Sequence, residues 1–318
     1  MNEDLNITYI TLDGFVEIQK YRFLYFGIMF VVYILIICCN STILYIIWIH
    51  KSLHEPMYIF IAALLFNSLL FSTTVCPKLL IDFLSDKQIT TIWQCSFQSF
   101  VYYSLSGAEL LLLSAMAYDR YVSISKPLQY HAVMKQKIVR LLLGLAWLVP
   151  ACQLVPSVII SNTEKMCTFT VNGIFCNNSI SKLFCMNSVA STVYVMYGVF
   201  LITNAVFVPL IFILFTYIKI LAICCKSSSD VSKKAFQTCS PHLLVLISFS
   251  CLCSFDIIIA RLQINLSKTT RFILNLQVVL YHPLFNPVIY GLKVKEIFKH
   301  IKRISFLGKI NVCHTNVY

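Results

Sequence analysis

The chain has 318 residues, of which 58% are apolar and only 12% charged, with a formal net charge of +12. Soluble domains carry about twice that share of charge, which argues against a soluble enzyme, and 24 Phe with 17 Tyr exclude a disordered chain. Eight Gly and nine Pro exclude a collagen-like or low-complexity chain, while the length accommodates seven membrane spans of ~20 residues with short loops.

Residues 1–22 carry Glu3, Asp4, Asp13 and Glu17 and no apolar core, so they read as an extracellular segment and not as a cleavable signal peptide. The 27 residues from Phe23 to Ile49 contain no Asp, Glu, Lys, Arg or His. At 1.5 Å per residue that run exceeds a ~30 Å hydrocarbon core. Six further apolar stretches follow, and the spans are expected at about 23–49, 57–80, 95–121, 139–160, 192–220, 237–261 and 271–292. Glu109 falls inside the third and Asp256 inside the sixth. A span must satisfy its own backbone in lipid, and these runs lack the alternation of a barrel strand. The expected fold is therefore an all-α membrane protein, a seven-transmembrane helix bundle. Residues 293–304 set Val294, Ile297, Phe298 and Ile301 at helical spacing among Lys295, Lys299, Lys302 and Arg303, which predicts an amphipathic eighth helix lying on the inner leaflet. Residues 305–318 then form a cytosolic tail in which Cys313 is a candidate for lipidation.

Charge sets the orientation. The segments after spans 1, 3, 5 and 7 hold sixteen of the 25 Lys and Arg against four acids, Glu55, Asp119, Asp230 and Glu296. That bias puts this face in the cytosol and the N-terminus outside, and it accounts for the whole net charge without a nucleic-acid footprint. Sequons at Asn6, Asn177 and Asn265 fall on the outer face as glycosylation candidates, whereas the one at Asn40 lies within span 1. Four of the 14 Cys also fall outside: Cys95 at the outer end of span 3, and Cys167, Cys176 and Cys185 in the longest outer loop. Two disulfides are expected there, with three pairings open by arithmetic alone; no His lies in that loop to favour zinc. Most of the other cysteines, including Cys224 and Cys225, read as reduced packing residues.

Four motifs stand at the expected membrane depths. Met116-Ala117-Tyr118-Asp119-Arg120-Tyr121 runs on through Lys126-Pro127-Leu128, and span 7 carries Pro283-Leu284-Phe285-Asn286-Pro287-Val288-Ile289-Tyr290. Leu53-His54-Glu55-Pro56-Met57-Tyr58 enters span 2, and Lys233-Lys234-Ala235-Phe236-Gln237-Thr238-Cys239 enters span 6. Together they resemble the olfactory receptors, a branch of the rhodopsin-like (class A) G-protein-coupled receptors, with a flavour of the fish-type members, over nearly the whole chain.

The resemblance implies that an odorant binds in the outer half of the bundle and that a heterotrimeric G protein of the stimulatory olfactory type, raising cyclic AMP, docks at the plasma membrane's inner face. It implies no enzymatic activity, cofactor or metal. It implies coupling and switching roles for Asp119, Arg120, Tyr121, Tyr217, Asn286, Pro287 and Tyr290, and the disulfides Cys95–Cys176 and Cys167–Cys185. Ligand candidates by family position are Tyr102, Tyr103, Ser106, Leu201, Ala205, Ser254, Ile257 and the rim residue Arg261. Glu109 at mid-membrane is costly if ionised and unpaired, which suggests a polar hub of Glu109 with Asn67 or Ser68 and Asn286. The family's acid on span 2 is missing here, where Asn67-Ser68 stands, and Ser250 beside Phe249 replaces the usual aromatic floor. A non-olfactory class A receptor is the nearest alternative. A transporter would need more intramembrane charges than Glu109 and Asp256, and an enzyme more than His282 with Glu109.

Overall fold

The computed structural model describes residues 9–163, 165–177, 183–185, 188–226, 233, 239–252 and 267–303. It is a bundle of seven helices. α1 (Ile18–Ile49), α2 (Pro56–Leu84), α3 (Ile92–Ser125), α4 (Gln136–Thr163) and α7 (Lys268–Lys293) have 26 residues or more each, about 39 Å at least along the axis. α5 runs from Ser188 to Lys226 and includes one π-helical turn, Thr203–Phe207. The described part of α6 is Cys239–Leu252. A short eighth helix, α8 (295–303), follows α7. The first helix begins five residues before the charge-free run, because Lys20 and Arg22 join its opening turns and Arg22 reaches Asp86 at 3.1 Å.

Side-chain periodicity explains the arrangement. α1 buries Ile36, Asn40, Ile43 and Ile47, spaced four, three and four apart, so it presents one face inward and its other residues to lipid. α3 is the most buried span and packs against α2, α4 and α5. Gly107 makes the α3–α4 approach possible, since a Cβ there would lie 2.8 Å from Pro150 Cβ. Val294 at the junction and Ile297 of α8 are buried while Lys299, Lys302 and Arg303 are exposed, the amphipathic pattern expected. The His300 ring of α8 lies 3.7 Å from that of His50 at the end of α1.

Pro287 has no N–H to give the carbonyl of Pro283 four residues earlier, yet α7 continues to Lys293. Asn40 of α1 replaces the missing donor: its Nδ2 donates to Pro283 O at 2.8 Å and to Ile36 O at 2.8 Å. Polar backbone in lipid must be matched within the protein. Asn40→Ala therefore leaves a buried carbonyl unmatched, a cost of about 1–3 kcal/mol. A lower melting temperature of the detergent-purified protein is expected; an unchanged one contradicts the capping role.

One end of the bundle, here the disulfide end, carries a small sheet that the sequence reading did not anticipate. Residues 9–12, expected only as part of an extracellular segment, form strand β1 (Tyr9–Leu12), which pairs antiparallel with β2 (Ile89–Thr91) and parallel with β3 (Thr170–Val171). Ile10 and Leu12 face inward, and Phe15 continues into an aromatic cluster with its ring 5.7 Å from Phe83 and 6.4 Å from Phe272. Asp13 pairs with Lys268 at the start of α7 at 2.6 Å. Gly14 donates to Gly173 O at 3.1 Å and could carry no side chain, since a Cβ would stand 2.3 Å from the Gly173 carbonyl carbon.

Candidate functional site

The core divides into two apolar clusters with a polar layer between them. On α2 one cluster reaches Leu65 and the other starts at Phe71; on α3 they meet between Leu105 and Leu110, and on α7 between Val279 and Ile289. The intervening positions hold Asn67, Ser68, Glu109, His282 and Asn286, all buried. Asn286 Nδ2 donates to Glu109 Oε1 at 3.0 Å and to Ser68 Oγ at 3.1 Å, tying α7, α3 and α2 together. Of the two α2 candidates, Ser68 joins this cluster. Asn67 turns away, donating to Leu105 O at 3.0 Å and accepting from Trp147 Nε1 at 3.2 Å, which fastens α2 to α3 and α4. His282 Nδ1 lies 4.0 Å from Glu109 Oε1, beyond hydrogen-bond reach, and its ring packs 4.5 Å from Phe249. Phe249 thus occupies the core beside the polar layer, with half-buried Ser250 as its neighbour.

At the opposite end from the disulfides, Arg120 folds back on its own neighbour. Its Nε and one Nη donate to Asp119 Oδ2 at 3.0 and 2.5 Å, and Tyr130 from the following turn donates to Asp119 Oδ1 at 2.7 Å. Both Asp119 oxygens are engaged and both charged residues are buried. Burial, and secondarily the Asp119 carboxylate, raises the Tyr130 phenol pKa above its ordinary value. Tyr121 is half-buried against the same core, Tyr217 of α5 is buried, and Tyr290 of α7 is fully buried with no hydrogen-bond partner for its hydroxyl.

His242 went unnoticed in the sequence, and Leu128 was noticed only as part of the motif that follows Arg120. His242 of α6 is buried, neither ring nitrogen has a partner, and its ring lies 5.5 Å from that of Tyr290. The signal was available: His242 shares helical spacing with the buried residues Cys239, Val245 and Phe249. Leu128, in the turn after α3, is fully exposed at 101%. Its apolar character within a basic loop was the clue.

The disulfide end closes over α3. Cys95–Cys176 ties the long loop to that helix, and Cys167–Cys185 closes the loop on itself. Gln98 accepts from Cys176 N at 3.0 Å and donates to Thr74 O at 3.2 Å. Phe175, next to the bridged cysteine, lies 5.1 Å from the Tyr102 ring, which also contacts Phe71 and Tyr103 at 5.0 Å.

A family model described as olfactory receptor matches residues 29–308. The chain belongs to the olfactory receptor family. Olfactory receptor 10AG1 of Homo sapiens is 34% identical over 304 residues, covering 92% of this chain and 97% of that protein. Olfactory receptor 11A1 of Homo sapiens is 32% identical with 94% of each chain covered, and olfactory receptor-like protein OLF4 of Canis lupus familiaris is 30% identical with 97% and 99% covered. This olfactory receptor is therefore a multi-pass membrane odorant receptor of the G-protein-coupled class.

In the receptor, the ligand candidates divide by location. Tyr102 is buried beneath the loop; Tyr103 and Ser106 are half-buried on α3, and the Ser106 hydroxyl is turned back to Tyr102 O at 2.8 Å. Leu201 and Ala205 are half-buried on α5, with Ala205 inside the π-helical turn. A π-turn re-aims the side chains around it and is frequent at functional sites. Ser254, Ile257 and Arg261 lie outside the described residues, as do Asp256, Asn6, Asn265, Lys234 and Cys313. Asn177 is half-buried beside Cys176.

Proposed function

We propose that this receptor binds its odorant at the disulfide end and relays binding through the polar layer to a stimulatory, cyclic-AMP-raising G protein at the Arg120 end. The Arg120 end faces the cytosol and the N-terminus lies outside, in keeping with the excess of Lys and Arg on that face. The observation that carries this reading is the buried Asp119–Arg120 pair, with Tyr130 on the other Asp119 oxygen: it holds a cationic fork against Asp119 on a loop-bearing face. Release of Arg120 toward the G protein costs the pair, so a ligand must favour the released arrangement by its differential affinity.

The ligand contacts α3 through Tyr102, Tyr103 and Ser106 and α5 through Leu201 and Ala205. Ser254, Ile257 and Arg261 of the sixth span expected from the sequence complete the set, with Arg261 as a bidentate partner for an anionic or carbonyl group. The link from α3 to α7 is the Glu109–Asn286 hydrogen bond. Because α2 offers Ser68 in place of an acid, Glu109 is the single carboxylate of the hub. Inward movement of Tyr290 or displacement of α6 gives the unmatched Tyr290 hydroxyl and His242 ring the partners they lack. Leu128 and the bases of the neighbouring loops, with Lys233 and Lys234, form the docking rim.

A cyclic-AMP reporter screen of amino acids, carboxylic acids, bile salts and nucleotides tests the ligand site. Tyr102→Ala is expected to raise the half-maximal concentration of every active compound by at least about tenfold, equivalent to about 1.4 kcal/mol of lost contact. Arg261→Ala is expected to do so only for anions. Equal responses of wild type and both variants would overturn the proposed location.

A further inference from the structure

The junction of α1 and α8 holds two imidazoles that the signalling route does not use. His50, half-buried, caps α1, and His300 of α8 is buried against it, with ring centroids 3.7 Å apart and planes tilted by 52°. His50 Nδ1 lies 3.0 Å from Ile46 O. A carbonyl only accepts, so Nδ1 carries the hydrogen there and a further proton goes to Nε2.

Packing alone does not call for ionisable rings at this place. Beside the pair, Gly291 of α7 approaches α1 and α8 so closely that a Cβ would stand 3.3 Å from Ile43 Cδ1 and 3.4 Å from Ile301 Cδ1. Val294 and Ile297 add buried apolar surface to the same junction. Hydrocarbon side chains would close the seam at any pH, whereas two stacked imidazoles close it only while they are uncharged.

The surroundings oppose a positive charge. Burial first, then His50 and Arg303, and last Lys299, push the His300 imidazole below its ordinary value, with Glu296 acting the other way. Lys293, Lys295, Lys299, Lys302, Arg303 and Glu296 are exposed around the ring on α7 and α8. From the turn into α2 come exposed Lys51, His54 and Glu55; His54 Nε2 lies 3.2 Å from Trp48 O, and Glu55 and Glu296 both lie near Tyr58. Among these described residues the permanent cations outnumber the two carboxylates, and each further proton adds to the excess.

We propose that the His50–His300 pair is a pH-sensitive clasp, which holds α8 against α1 while both rings are neutral and releases it when they are protonated. Docking depresses the His300 value, so the docked form binds fewer protons than the released form. Docking is therefore complete above the ordinary value of 6.5 and is lost progressively as pH falls from there toward the depressed value. Release also loosens the end of α7, where Val294 N donates to Tyr290 O at 3.2 Å. On the proposed cytosolic placement of the Arg120 end, the clasp responds to cytosolic acidification.

Hydrogen exchange of the full-length receptor in lipid nanodiscs, read by mass spectrometry and corrected for the intrinsic effect of pH, tests the clasp. Protection of residues 295–303 is expected to fall about tenfold between about pH 7.5 and about pH 5.5, the shift that one proton taken up by the released form alone produces one pH unit below 6.5. Protection of residues 110–117 in α3 stays constant. The double variant His50→Phe with His300→Phe keeps two rings without a titration and is expected to hold its α8 protection within about twofold over the same range. Each single Phe variant falls less than wild type. Constant protection of wild-type α8 overturns the proposal, as does an equal fall in wild type and the Phe variants or a parallel loss in α3. Nanodiscs expose both faces to one buffer, so this result stands whichever face lies in the cytosol; a reversed orientation changes only the compartment whose pH is read.

Discussion

Arg120→Ala is expected to reduce odorant-stimulated cyclic AMP by at least about tenfold, the equivalent of about 1.4 kcal/mol of lost coupling, while leaving surface delivery within about twofold. The guanidinium is the group the proposed mechanism releases to the G protein, so removing it removes the contact itself. The truncation also leaves Asp119 buried with only Tyr130 as a partner, which is costly when one member of a buried pair is deleted. Surface labelling of an N-terminal tag separates the two effects. Loss of signal in proportion to lost receptor would reduce Arg120 to a structural part. The companion substitution, Tyr130→Phe, has the opposite sign. It deletes one hydrogen bond to a charged group, worth about 1.5–3 kcal/mol, from the locked arrangement alone. Basal cyclic AMP then rises, by about tenfold or more if most of that difference appears in the equilibrium. A basal level equal to wild type would show that Tyr130 does not hold the lock.

Cys95→Ser is expected to be the most damaging change at the disulfide end. The bridge to Cys176 closes a separation of 81 residues, against 18 for Cys167–Cys185. Chain entropy alone gives about 4.5 kcal/mol for the first loop and about 3 for the second, both upper bounds here because inserted spans already restrain the chain. The larger difference is mechanical. Cys95–Cys176 joins the loop to α3 and sets Phe175 over Tyr102 with the help of Gln98, whereas Cys167–Cys185 is internal to the loop. Cys95→Ser should lower both surface receptor and melting temperature, Cys167→Ser less so, and Cys95→Ser with Cys176→Ser no more than Cys95→Ser alone. Equal effects of the two single changes would contradict this ranking.

Long-range features of the bundle were legible because they rest on strong, local signals. A charge-free run of 27 residues admits few readings, and the period of Val294, Ile297 and Ile301 suffices to mark α8. The strand Tyr9–Leu12 was not legible, since four residues of alternation carry little weight and its partners lie some 80 and 160 positions away in the chain. Asn40 was visible only as a sequon in an apolar run; its use becomes clear once Pro287 places an unmatched carbonyl beside it. The choice between Asn67 and Ser68 turned on helix rotation, which one residue of sequence cannot resolve, and the backbone of α3 claims Asn67. His242 hid as a single polar residue within an apolar helix, where burial and satisfaction cannot be told apart without neighbours.

Every functional assignment above depends on the Arg120 end lying in the cytosol. Distinct epitope tags at the two termini, stained in intact and then in permeabilised cells, measure this directly. The N-terminal tag is predicted to stain without permeabilisation and the C-terminal tag only after it. Both tags on one side of the membrane, or the reverse order, would contradict the seven-span orientation and with it the proposed route from odorant to G protein.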